Sequence, residues 1–182
     1  MKHTLIIAGL LATLAGCARN AEAVATPAVL SIQELMASVV DPAADSLWDS
    51  VGTTISTGGT QDRAPRTDKE WRQVRHYAVA LVEAPNLLVM KGRPMAVPGG
   101  KLDDADVPGI ESAAHVQAAI AKDPAAFALK AKALQDAGLS ALKAIDARNP
   151  AGLLAAGGQI DTACESCHLK YWYPNAPRPP ES

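Results

Sequence analysis

The sequence predicts an all-α protein folded as an antiparallel four-helix bundle, and three features predict it. Alanine is abundant, phenylalanine occurs once and aromatic residues make up only 4% of the chain, a composition that suits helix and starves β-sheet. Helix-opening signals stand before four long segments in which apolar residues recur at three- and four-residue spacings. Most connections between those segments are short, which favours antiparallel neighbours.

Taken in order, Ser31 can cap a first helix with Glu34 reciprocating three residues on, and Ile32, Leu35, Met36, Val39 and Val40 follow helical spacing. Asp41-Pro42 pairs a good cap with a good first-turn residue, so a kinked helix or two abutting ones should run on through Leu47, Trp48 and Val51. Residues 52–66, with Gly58-Gly59 and Pro65, read as a loop. Thr67-Asp68-Lys69-Glu70 is a second capping box; the helix it opens carries Trp71, Val74, Ala78, Leu81 and Val82, and Pro85 should kink or end it.

Residues 86–109 are rich in Gly and Pro and hold Met90 and Met95, so they read as a long crossover, followed by one short helix from Ile110 to Ala121. Asp123-Pro124 opens a third long helix, carried by Phe127, Ala131, Leu134, Ala141, Leu142 and Ile145 to about Arg148. Asn149-Pro150 opens the fourth, on which Leu153, Gly157, Ile160, Cys164, Cys167, His168 and Tyr171 share one face. Pro174, Pro177, Pro179 and Pro180 turn the end of the chain into an extended tail.

The start of the chain has a different character. Lys2 and His3 precede a short apolar run, Leu5 to Leu14, and then Ala15-Gly16-Cys17, the form of an export signal too short to span a bilayer. Leu14-Ala15-Gly16-Cys17 resembles the bacterial lipobox, which implies cleavage after residue 16 and lipid on Cys17. The expected organisation is therefore a lipoprotein signal over 1–16, a lipidated tether over 17–30, a helical domain over 31–174 and a Pro-rich tail over 175–182. A lipid anchor without a transmembrane helix follows, with a periplasm-facing, outer-membrane location implied by Ala18 after the cysteine.

A formal net charge of −2 lacks the basic excess that a phosphate backbone demands, so nucleic acid is not an expected partner. No nucleophile is paired with a base, no carboxylates are paired at a meaningful spacing and no glycine loop cradles phosphate, so side-chain catalysis has no support. With Cys17 assigned to lipid, the two remaining cysteines enclose too small a loop for a useful structural disulfide.

They lie instead in Cys164-Glu165-Ser166-Cys167-His168, the attachment signature of haem c. Cysteines at i and i+3 of a helix present both sulfurs on one side, where they can form thioethers with the two haem vinyl groups, and His168 can bind iron from that side. A zinc site would need about four ligands where this segment offers three. A thioredoxin-type CxxC would need a strand–helix context that the segment lacks. For the sixth iron position Met36, on the inward stripe of the first helix, competes with the crossover methionines Met90 and Met95, and Met36 also reads as core packing.

The segment from Leu35-Met36 to Leu47-Trp48, a helical middle and a late CxxCH resemble the class II cytochromes c, the group of cytochromes c′ and their low-spin c-556-type relatives. The resemblance covers about residues 31–174 and implies His168 and Met36 as axial ligands, Tyr171 packed near the haem edge, and a homodimer through the first helix. Ile160, one turn before Cys164, is a further expected haem-packing residue. One departure stands out: cytochromes c′ carry a basic residue four positions after the haem histidine, and this chain has Trp172. The expected function is one-electron exchange with redox partner proteins. A five-coordinate gas-binding protein and a haem subunit docking onto a membrane redox enzyme through the Trp172-Tyr173-Pro174 exit are the alternatives.

Overall fold

The structure, a computed structural model, describes residues 28–176; the proposed signal, the lipidation residue Cys17 and most of the tether and tail lie outside the described residues. It is mostly helical, with one small hairpin.

Helix α1, Ile32–Leu35, opens on the expected capping box: Glu34 N–H donates to Ser31 Oγ at 3.2 Å, and Ser31 N–H donates to the Glu34 carboxylate at 2.8 Å. Two further first-turn donors are met from a distance, Ile32 N–H by the Pro94 carbonyl at 2.8 Å and Gln33 N–H by the Met95 carbonyl at 3.0 Å. Beside them lies Arg93, buried with no carboxylate partner among the described residues, whose guanidinium donates to the carbonyls of Leu87 (2.7 Å) and Leu30 and to Met90 Sδ (3.2 Å). A buried cation is tolerated only when its donors are satisfied, and here that requirement staples the start of α1 to the crossover.

Residues Met36–Val40 form a π-helical turn that leads without a break into α2, Asp41–Ser50, with Asp41 N–H donating to the Met36 carbonyl. The proline at 42 is thus accommodated by a widened turn just ahead of it. Pro42 has no N–H to offer and its ring crowds the carbonyl four residues back. The side chains give a second reason. Leu35/Met36, Val39/Val40, Ala43/Ala44 and Leu47/Trp48 recur every four residues, and an α-helix turns about 40° too far in each such step. The one extra residue of a π turn absorbs about 100° of that drift, and all four pairs reach the core.

Residues 52–66, expected as a loop, instead contain a hairpin: β1, Gly52–Ser56, pairs antiparallel with β2, Gly59–Arg63, with Thr53 opposite Asp62 and their side chains hydrogen-bonded at 2.8 Å. Thr53, Thr54 and Ile55 carry the β propensity. The hairpin is almost wholly exposed, so no apolar alternation marks it in the sequence.

Helix α3, Asp68–Leu88, opens on the Thr67/Glu70 box and continues past Pro85 to its end at Leu88. Residues 89–112 cross to α4, Ala113–Lys122, capped by Ser112. Helix α5, Pro124–Asp146, is capped by Asp123, and α6, Pro150–Tyr171, by Asn149. Among the described residues no helix is long and apolar enough to cross a membrane.

The main core draws on α2, α3, α5 and α6, with Leu47, Leu81, Leu153 and Ile160 almost completely buried. A second cluster, Ile32, Leu35, Leu88, Leu102, Val116, Phe127 and Tyr171, lies at the end that carries the cysteines. Trp48 joins α2 to α6: its Nε1–H donates to the Gly157 carbonyl at 3.0 Å, and a Cβ at Gly157 would stand 3.1 Å from the indole. Gly158 faces open space. Gly157→Leu should therefore displace Trp48 and destabilise by about 1–3 kcal/mol, whereas Gly158→Ala should stabilise by about 1 kcal/mol through helix propensity. Urea unfolding of the two variants checks both signs.

Candidate cofactor site

Helix α6 is unbroken through Cys164, Cys167 and His168, so the two sulfurs and the imidazole occupy one side of it. Cys164 packs against the main core and Cys167 against the second cluster. Met36 packs against both. The motif therefore lies at the seam between the two clusters, opposite the π turn.

Two adjoining cavities open at this seam. One has about 670 Å³ of empty space counting its open mouth, between α1, α4, α6 and the crossover. The other, about 420 Å³ on the same measure, lies between the π turn, α5 and α6. Met36, Asp41, Phe127, Cys167 and His168 line both, Cys164 lines the second, and Tyr171 and Trp172 line the first.

The surroundings hold the donor groups neutral. Burial pushes both thiols up to about 11; at Cys164 the carboxylates of Asp41 and Asp161 and the Cys167 thiol add to burial, while at Cys167 Lys130 and Lys170 oppose it. His168 is shifted the other way, lowered mainly by burial against the pull of Asp41 and Glu165, which favours the neutral imidazole that binds metals. Asp41 stands at the mouth of the site and, despite its exposure, has its carboxyl lifted by partial desolvation, with His168 opposing and Asp45 and Asp103 adding to the rise.

Of the residues singled out from sequence, the structure brings Cys164, Cys167, His168, Met36 and Tyr171 together at the cavities. Met95 lines the first cavity only. Met90 lines neither, and its sulfur accepts from Arg93. Ile160 is fully buried in the main core and lines neither cavity. His76 is exposed on α3. Sequence reasoning treated Asp41 as a helix cap and missed it as a wall of both cavities; the widened turn, in which Asp41 N–H bonds the Met36 carbonyl, sets it one turn beyond Met36. Phe127 was read only as core.

Comparison with protein-family models, with curated proteins and with solved structures finds no match to this chain.

The residues present fit a large apolar cofactor held covalently. The donor set is two free thiols and an imidazole on one helix, with a thioether supplied by another helix. Two buried polar atoms on the wall of the first cavity, Tyr171 Oη and Trp172 Nε1, have no hydrogen-bond partner among the described residues, and Lys170 stands over the Tyr171 ring, 5.3 Å from its centroid. Buried groups of this kind are rare without a partner, and a ligand bearing acceptor groups would supply one. Redox thiol chemistry fits poorly, since it depends on a lowered thiol pKa near a helix N-terminus, whereas these thiols are raised and close to a C-terminus. With both thiols free, roughly one in a thousand should be ionised at pH 8. Iodoacetamide modification of Cys164 and Cys167 should therefore be slow, climbing about tenfold per pH unit to about pH 11 instead of levelling near 9.

Proposed function

We propose that this chain is a c-type cytochrome of the class II kind, a four-helix bundle that carries one haem and passes single electrons. Cys164 and Cys167 would hold the group through thioethers, with His168 and Met36 as the two axial ligands. The observation that carries this reading is that Met36 and His168, from opposite ends of the chain, line both cavities beside the paired cysteines. Once bound, the group supplies a one-electron iron couple.

The chain's own part is to hold ligand atoms still and keep water away. Met36 sits in a turn continuous with helix on both sides, and His168 sits within the last turn of α6, so neither ligand needs to move when the charge of the site changes. The low proton affinity of His168 keeps its ring nitrogen free to bind. A methionine thioether opposite histidine raises the reduction potential relative to two nitrogen ligands. With a lipid on Cys17, such a carrier would work at the periplasmic face of a membrane, close to membrane-bound redox partners.

Met95 is the second candidate for the sixth position, because it lines the first cavity. Absorption spectra of the haem-loaded protein, oxidised and reduced, with and without carbon monoxide, decide the reading. Low-spin spectra with the weak red band of a sulfur–iron bond, unaffected by carbon monoxide, are expected. Met36→Leu should lose the band and open the iron to carbon monoxide, and Met95→Leu should do neither. A high-spin wild-type spectrum that shifts with carbon monoxide would replace electron transfer with gas binding.

A further inference from the structure

The plane of a histidine ring is weakly determined by its own torsion, since rotation about Cβ–Cγ is broad. Ligand histidines are therefore oriented by something outside themselves, most often a hydrogen bond from the second ring nitrogen. Two aromatic rings pack against His168. Trp172 stands edge-to-face with the imidazole, centroids 5.2 Å apart and planes at 88°. Tyr173 approaches it at 6.0 Å and 66°. The two aromatic rings also pack on each other at 5.4 Å, so they meet the imidazole as one unit.

This pair is fixed independently of His168's side chain. Trp172 N–H and Tyr173 N–H both donate to the His168 carbonyl, at 2.8 and 3.0 Å, so the chain folds back over the last turn of α6 as it leaves the helix. The Trp172 carbonyl accepts from Glu111 N–H at 2.7 Å, and Asn175 Nδ2 donates to the Glu111 carboxylate at 3.1 Å. Gly109 allows the approach: a Cβ there would lie 3.1 Å from the backbone of Ala176. The Tyr173 phenol donates to Glu165 Oε2 at 2.6 Å, which ties that ring to the first turn of the attachment motif.

We propose that Trp172 and Tyr173 are positioning residues that set the plane of the His168 imidazole through edge-to-face contact. The inference rests on the haem reading and adds to it the group that orients the proximal ligand. Trp172 acts through its ring edge, with Tyr173 and Glu165 as the brace that keeps the indole in place.

The test uses the haem-loaded full chain and reads ring orientation directly, from the spread of the haem methyl resonances in the oxidised protein by paramagnetic NMR, together with the reduction potential. Trp172→Ala should change the order or spread of those methyl shifts and move the potential while covalent haem and helical content are retained. Trp172→Phe keeps an aromatic edge without the indole N–H and should restore the wild-type pattern. Tyr173→Phe, which removes the bond to Glu165, should give a smaller change in the same direction. If Trp172→Ala proves unfolded, Trp172→Leu with Trp172→Phe supplies the same comparison. Unchanged methyl shifts in the non-aromatic variant, or failure of phenylalanine to restore them, would overturn the proposal. A wild-type chain that takes up no covalent haem would instead overturn the function proposed above.

Discussion

The contact between Trp48 and Gly157 is the constraint on which the remaining geometry hangs. It is polar and steric at once, an indole N–H on a backbone carbonyl with the ring lying where any side chain at 157 would stand. Because the carbonyl belongs to α6 and the indole to α2, the contact sets the roll of one helix against the other. That roll then propagates without slack in both directions. Along α6 it fixes the face on which Cys164, Cys167 and His168 emerge. Along α2 it runs through the π turn into α1, whose far end is held by Pro94, Met95 and Arg93. A helical run held at both ends is restricted in register, and the register it takes brings Met36 to the cavities that His168 lines.

The electrostatics of the site follow from where that register places it. The seam between two apolar clusters withholds water from the thiols and the imidazole alike, so each favours its uncharged form. A neutral, soft donor set in an apolar cleft disfavours a hydrated or hard cation. The carboxylates that act on the imidazole, Asp41 and Glu165, oppose burial there and are outweighed by it. The same burial that makes these thiols poor redox reagents leaves them suited to serve as fixed points of attachment.

Much of this was legible in the sequence, because it was written in local chemistry. The capping boxes at Ser31/Glu34 and Thr67/Glu70, and the caps at Asp123 and Asn149, all form as read, since a cap is decided within four residues. The hairpin at 52–63 was not legible: a strand pair packed on nothing carries no alternating pattern, and its Gly and Thr content resembles a loop. The π turn was legible only in part. Asp41-Pro42 announced a disturbance, but the four-residue repeat on either side of it was the sign that the helix would widen instead of breaking. Gly157 read from sequence as a member of the motif's face, and the position of Trp48 supplies its reason. Met90 was an alternative to Met36 for the sixth position, and Arg93 occupies its sulfur.

The choice between Met36 and Met95 is at bottom a question of stiffness. An electron carrier is fast when its ligands keep their places in both oxidation states, so the energetically cheaper ligand is the one whose backbone is already immobile. Met95 belongs to the crossover, although its own N–H donates to Gln117 Oε1 and its carbonyl receives the Gln33 N–H. Met36 lies one turn from that same anchor but inside the continuous helical run, with its carbonyl committed to Asp41 and its side chain wedged between both core clusters. It also reaches the second cavity, the one that Cys164 lines, and Met95 does not. A ligand must face the attachment point as well as the imidazole, and on that geometric ground as well as on stiffness Met36 suits the proposed role better than Met95.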